Sequence, residues 1–110
     1  MRLIRQPALV AALLLIGACT DIARAETVPF ACEMQPDRQT IRIVLSNPAR
    51  QERSCIASCQ FQTPHHGGEV QVICAHRVAA DAKYIEMCTR DSGGQELIKQ
   101  TFGSADCYNY

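Results

Sequence analysis

His65 and His66 stand side by side, and His76 follows ten positions after His66, so all three histidines of the sequence fall in one short stretch. Neutral imidazole is a common ligand for transition metals, and three near one hairpin would suit such an ion. The spacing argues against it. Adjacent side chains diverge, and ten extended residues carry His76 about 25 Å or more along the chain. The expectation is two solvated imidazoles in a turn, with no metal and no other cofactor.

Cysteine is the more informative residue. There are seven: Cys19, then Cys32, Cys55, Cys59, Cys74, Cys88 and Cys107. No C-x2-C pair exists, and the closest spacing is Cys55-x3-Cys59, so zinc ligation has no support. The last six form an even set, which in an exported domain reads as a disulfide framework. With all six paired, no thiol remains as a nucleophile. Serine hydrolase chemistry lacks its G-x-S-x-G elbow. The carboxylates are scattered, and no spacing selects two as an acid and base pair. The residues therefore point away from an enzyme.

The N-terminus explains why one cysteine stands apart. Arg2 and Arg5 precede the apolar run Ala8–Ala18, and Ala23-Arg24-Ala25 ends the segment as an A-x-A cleavage site. The run is too short to cross a bilayer, which takes about 20 apolar residues. Residues 1–25 read as a secretory signal and 26–110 as one mature domain with no transmembrane span. A rival site exists: Ile16-Gly17-Ala18-Cys19 resembles a lipobox, which would make Cys19 a lipid anchor. The product is accordingly expected to be periplasmic or secreted, with anchoring through Cys19 as the alternative.

The expected mature part carries eight Lys/Arg and ten Asp/Glu, interspersed, with no basic stripe for nucleic acid. It has no Trp and few other aromatics. A core this thin rarely supplies more than about 3–5 kcal/mol, whereas each disulfide typically adds about 2–4 kcal/mol.

The elements that must position these residues are mostly extended. Thr40–Ser46 is β-branched in its middle, with Ile41, Ile43 and Leu45 on one face. Ser54–Gln62 alternates, with Cys55, Ala57, Cys59 and Phe61 inward; a helix starting at Asn47-Pro48 is the competing reading. Thr63–Gly68 is a turn, and Glu69–Val78 is a strand with Val70, Val72, Cys74, His76 and Val78 on one face. Lys83–Arg90 reads as a strand with some helix propensity, Asp91–Gly94 as a turn, and Gln95–Phe102 as a last strand. Glu26–Gln39 reads as an irregular entry segment. The fold class is all-β, a small disulfide-stapled sandwich loosely like immunoglobulin modules, with a small α+β domain as the alternative if residues 48–60 or 79–87 are helical. Centring the hairpin between His66 and Gly67 sets Cys59 opposite Cys74, so that bridge is expected first; Cys88–Cys107 would tie down the C-terminus and Cys32–Cys55 the entry segment, with the partners of these last two open to exchange. A Cys55–Cys59 bridge is excluded on a strand, where about 13 Å separates the two.

Small stapled domains commonly present rigid loops to another macromolecule. The candidate contact residues are His65 and His66 in one turn, Asp91 and Ser92 in the other, and Tyr108 past the last cysteine. The expected function is a non-catalytic binding module for another protein or an envelope component. Phe30-Ala31-Cys32-Glu33 followed by the strand Thr40–Ser46 resembles the opening of the periplasmic inhibitors of C-type lysozymes. That resemblance implies an alternative role, inhibition of a cell-wall hydrolase. The family's Ser-Gly-x-x-Tyr loop has no match, since Ser92-Gly93-Gly94-Gln95-Glu96 lacks the tyrosine. A small secreted hydrolase is the remaining alternative.

Overall fold

Clean alternation over Arg53–Gln62 and Glu69–Val78 produces two ten-residue strands joined as a hairpin, because period-two patterning buries one face only when the chain is extended. The computed structural model describes residues 25–109. Residues 1–24 of the expected signal segment, Cys19 among them, and Tyr110 lie outside the described residues. Seven strands run in order: β1 Ala25–Thr27, β2 Phe30–Met34, β3 Thr40–Leu45, β4 Arg53–Gln62, β5 Glu69–Val78, β6 Ile85–Asp91 and β7 Lys99–Tyr108. No helix occurs among the described residues, so the α+β alternative falls.

The strands form two antiparallel sheets. One has the order β1-β7-β4-β5, the other β2-β3-β6. The likeness to immunoglobulin modules stops at the two-sheet plan, because here the seventh strand lies between the first and the fourth. Ile41, Ile43 and Leu45 from β3, Cys55, Ala57, Cys59 and Phe61 from β4, and Val72, Cys74 and Val78 from β5 meet in the core. Leu97, in the loop before β7, is fully buried and plugs one end.

Two segments differ from their sequence reading. The supposed irregular entry contains β1 and β2, separated by Val28-Pro29 where the chain passes from one sheet to the other. Both are short, and β1 finds its partner in β7, some eighty residues away, so local patterning carries no sign of it. The last strand starts later than expected and runs to Tyr108. Gln95–Ile98 is loop, while Gly103–Cys107 pairs with β4. Gly103 permits this: a Cβ there would lie 3.1 Å from the Phe30 ring.

The bridges are a second correction. They join Cys32 to Cys59, Cys55 to Cys107 and Cys74 to Cys88, with Cα separations of 6.1, 4.0 and 6.1 Å. The hairpin is centred one residue earlier than expected, between His65 and His66, so Cys74 faces Ala57 and Cys59 faces Val72. Inward-pointing cysteines then reach across to the other sheet. Cys32–Cys59 ties β2 to β4, and Cys74–Cys88 ties β5 to β6. The third bridge lies within one sheet, where β7 sets Cys107 directly opposite Cys55. Cys55 and Cys59 are not joined, in keeping with their place on a strand.

Candidate interaction surface

Three loops share one end of the sandwich. Residues 35–39, 63–68 and 91–98 are tied together by Leu97 N–H to the Arg38 carbonyl (2.7 Å), Ile98 N–H to the Gln62 carbonyl (2.8 Å) and Ser92 N–H to the Gln39 carbonyl (2.8 Å). His65, His66 and Asp91 are exposed here. Asp91 Oδ1 accepts from Gly93 N–H at 2.6 Å and Gly94 N–H at 3.2 Å, so its carboxylate is engaged in shaping its own turn. Ser92 is buried, and its hydroxyl donates to the Gln95 carbonyl. Tyr108, 41% exposed, sits at the opposite end and is not brought together with the loop residues. His76 lies on β5, away from the histidine turn. Among the described residues, no three His, Cys, Asp or Glu side chains group as a metal site.

The two outer faces of the sandwich differ in chemistry. On the three-stranded sheet, Arg42 of β3 donates from Nε to Glu86 Oε1 at 2.9 Å and from Nη1 to Glu33 Oε1 at 3.0 Å. The hydrogen bond to Glu86, with the charge of Glu33 added, raises the guanidinium pKa above its ordinary value. The face is charged, and its charges answer one another.

The four-stranded sheet is unlike it. Registered residues put Ser54, Ile56, Ser58, Gln60 and Gln62 of β4 on the outer face, with Arg77, Ala75, Ile73, Gln71 and Glu69 of β5 beside them. On the other flank stand Tyr108, Asp106, Ser104 and Phe102 of β7. The middle is serine and glutamine. Through it project Ile56, Ile73, Phe102 and Tyr108, with Ile73 and Phe102 half exposed. Most of the charges lie at the margin. Such a face offers adaptable hydrogen bonding with several apolar points.

Sequence reasoning put Tyr108 among the contact residues but passed over Ile56, Ile73 and Phe102. A signal for two of them exists. Ile56 and Ile73 each interrupt a row of polar residues at the outward positions of an alternating strand. Tyr84 is a further missed residue; it is 59% exposed and held at φ +45°, with its N–H donating to Ser46 Oγ at 2.9 Å.

Beside the edge of β5, Val70, Gln71, Val72 and Ile73 line an open groove of about 410 Å³ whose other wall is Arg90–Gly93. The fold and the surface together define a small, disulfide-stapled antiparallel β-sandwich. No protein-family model, no curated protein and no solved structure matches the chain.

Proposed function

We propose that the chain is an exported, non-catalytic interaction module whose working surface is the outer face of the four-stranded sheet. The observation that carries this reading is the contrast between the faces: Ile56, Ile73, Phe102 and Tyr108 stand exposed among serines and glutamines on one, while Glu33, Arg42 and Glu86 pair on the other. Three disulfides belong to an oxidising, extracytoplasmic environment, which supports export. In this reading the signal is cut after Ala25, the product is soluble in the periplasm or outside the cell, and the partner is a protein or an envelope component.

Two experiments test it. N-terminal sequencing of the exported protein should begin at Glu26; an acylated Cys19 would replace the soluble form with a lipoprotein. A photo-crosslinking residue at Ile56 or Phe102 should trap one and the same envelope species in cells, and the same residue at Glu86 should not. Turnover of a cell-wall, nucleic-acid or ester substrate that vanishes on changing one carboxylate would sink the module reading.

A further inference from the structure

Four strands border the two sheets, and three of them are blunted against pairing with another chain. β1 has three residues, and β2 has five, with Glu33 held in an ion pair. β6 is interrupted by a bulge at Met87. Short length, charge and bulges are the usual protections of a sheet edge. β5 is long and free of bulges, and its charges, Glu69 and Arg77, stand at its two ends. It runs ten residues against β4 without a shift in register and contains no Pro or Lys. Glu69, His76 and Arg77 lie towards its ends, and Val70–Ala75 between them is uncharged.

The register shows which backbone groups face outward. Directly opposed residues of antiparallel strands alternate between pairs that exchange hydrogen bonds, Cα atoms about 5.5 Å apart, and closer pairs that do not. Cys55 and Cys107, at 4.0 Å, are of the close kind, so Cys55 turns its N–H and C=O away from β7 and towards β5. Thr63 N–H donates to the Gly68 carbonyl, and Ile98 N–H to the Gln62 carbonyl, in the same phase. Odd residues of β4 therefore bond the even residues of β5. The odd residues of β5, from Glu69 to Arg77, aim their backbone groups outward from the sheet.

We infer that this edge pairs with β5 of a second copy of the chain, antiparallel about a twofold axis at Ile73. In that register Ile73 meets Ile73 of the second copy, Gln71 meets Ala75, and Glu69 meets Arg77 twice over. The strand is self-complementary in charge and in apolar character, as an isologous interface requires. Arg77 already lies 3.8 Å from Glu52 within its own chain, and the pairing adds a second carboxylate. Moving the axis to Cys74 would set Arg77 opposite Gln71 and leave Glu69 beyond the strand end. The odd residues supply about ten hydrogen bonds across the axis, and the two four-stranded sheets become one continuous sheet. This pairing does not depend on what the outer face binds.

Sedimentation of the oxidised exported protein tests it, since a dimer population rises with protomer concentration, here up to about 100 μM. Wild type should be dimeric at the upper end. Ile73→Lys, which faces two ammonium groups across the axis, should be monomeric throughout with no free thiols. Glu69→Arg should weaken the dimer about tenfold, and Glu69→Arg combined with Arg77→Glu should restore it. A wild-type monomer at all concentrations overturns the inference, including one whose β5 binds an extended peptide instead. So does a dimer indifferent to Ile73→Lys, or a charge reversal that the double exchange fails to rescue.

Discussion

Arg53 is a guanidinium at a position 2% exposed, at the first residue of β4. Its Nε donates to Asn47 Oδ1 at 2.9 Å, and Nη1 lies 3.6 Å from Glu26 Oε1. Nη2 has no hydrogen-bond partner among the described residues. Asn47 is wholly buried and does more: its Nδ2 donates to the carbonyls of Gln51, Val78 and Ala79, and its Oδ1 also accepts from Ala49 N–H. Removing the Asn47 amide strands Arg53 Nε and the carbonyls it binds, whereas Asn47 Oδ1 keeps Ala49 N–H when Arg53 is replaced. Asn47→Ala should cost about 3 kcal/mol in urea unfolding. Arg53→Met should cost less than about 1 kcal/mol, because an apolar side chain of similar length removes a poorly satisfied buried charge. The reverse order would show that the cation, and not the amide, organises this end. In the sequence Asn47 with Pro48 was legible as the start of a competing helix; nothing local announces that its amide binds carbonyls some thirty residues away.

Asp37 is a residue-scale feature with a pH signature. Its carboxylate accepts from Gln39 N–H at 2.9 Å, Thr40 N–H at 3.0 Å and Thr40 Oγ1 at 2.7 Å, and these bonds, led by the one from Gln39, hold its pKa below the ordinary value. The ionised form is thus favoured by folding. Its contribution is present above the unfolded value and is lost as pH falls through the lowered folded one, a window lying below about pH 4. The stability gap between wild type and Asp37→Asn should shrink across that window. A gap that stayed constant would mean that the carboxylate's charge contributes nothing.

At the scale of elements, the bridges differ in what they hold. Cys55–Cys107 closes a sequence separation of 52 and Cys74–Cys88 one of 14. Loop-closure entropy gives about 4 kcal/mol for the first and about 3 kcal/mol for the second. Paired alanine substitutions should rank in that order by thermal or urea unfolding. The strand hairpin of β4 and β5 was legible because alternation and a Gly-Gly turn lie next to each other in sequence. The bridges were not, for two reasons. A turn read one residue late moves every cross-strand partner by two. In addition, bridges that cross between sheets depend on how the sheets stack, which no single strand encodes. The small residues of Gly103–Ala105 likewise read as a chain end, although they are a strand fitted beneath Phe30.

For the whole molecule, the sandwich class followed from short strands set between Pro and Gly turns, while the proposed contact surface did not. The contrast between the faces exists only after β7 is set beside β4, which brings Phe102 and Tyr108 onto the same face as Ile56 and Ile73. Phe102→Ser should leave stability within about 0.5 kcal/mol, as for a surface change, and abolish the crosslink formed from Ile56. A large loss of stability would instead make Phe102 part of the fold.

The connectivity of the bridges has a consequence for how the protein is made. For a chain threaded N-terminus first into an oxidising compartment, cysteines joined in order of arrival would give Cys32–Cys55, Cys59–Cys74 and Cys88–Cys107. None of these is native. Cys32 must pass over Cys55, and Cys55 must wait for the last cysteine to emerge. An oxidase acting alone would fill such a chain with incorrect links, and maturation would then proceed by thiolate attack and exchange. Correctly bridged protein should fall sharply in cells lacking a disulfide isomerase and recover when a glutathione redox couple is supplied.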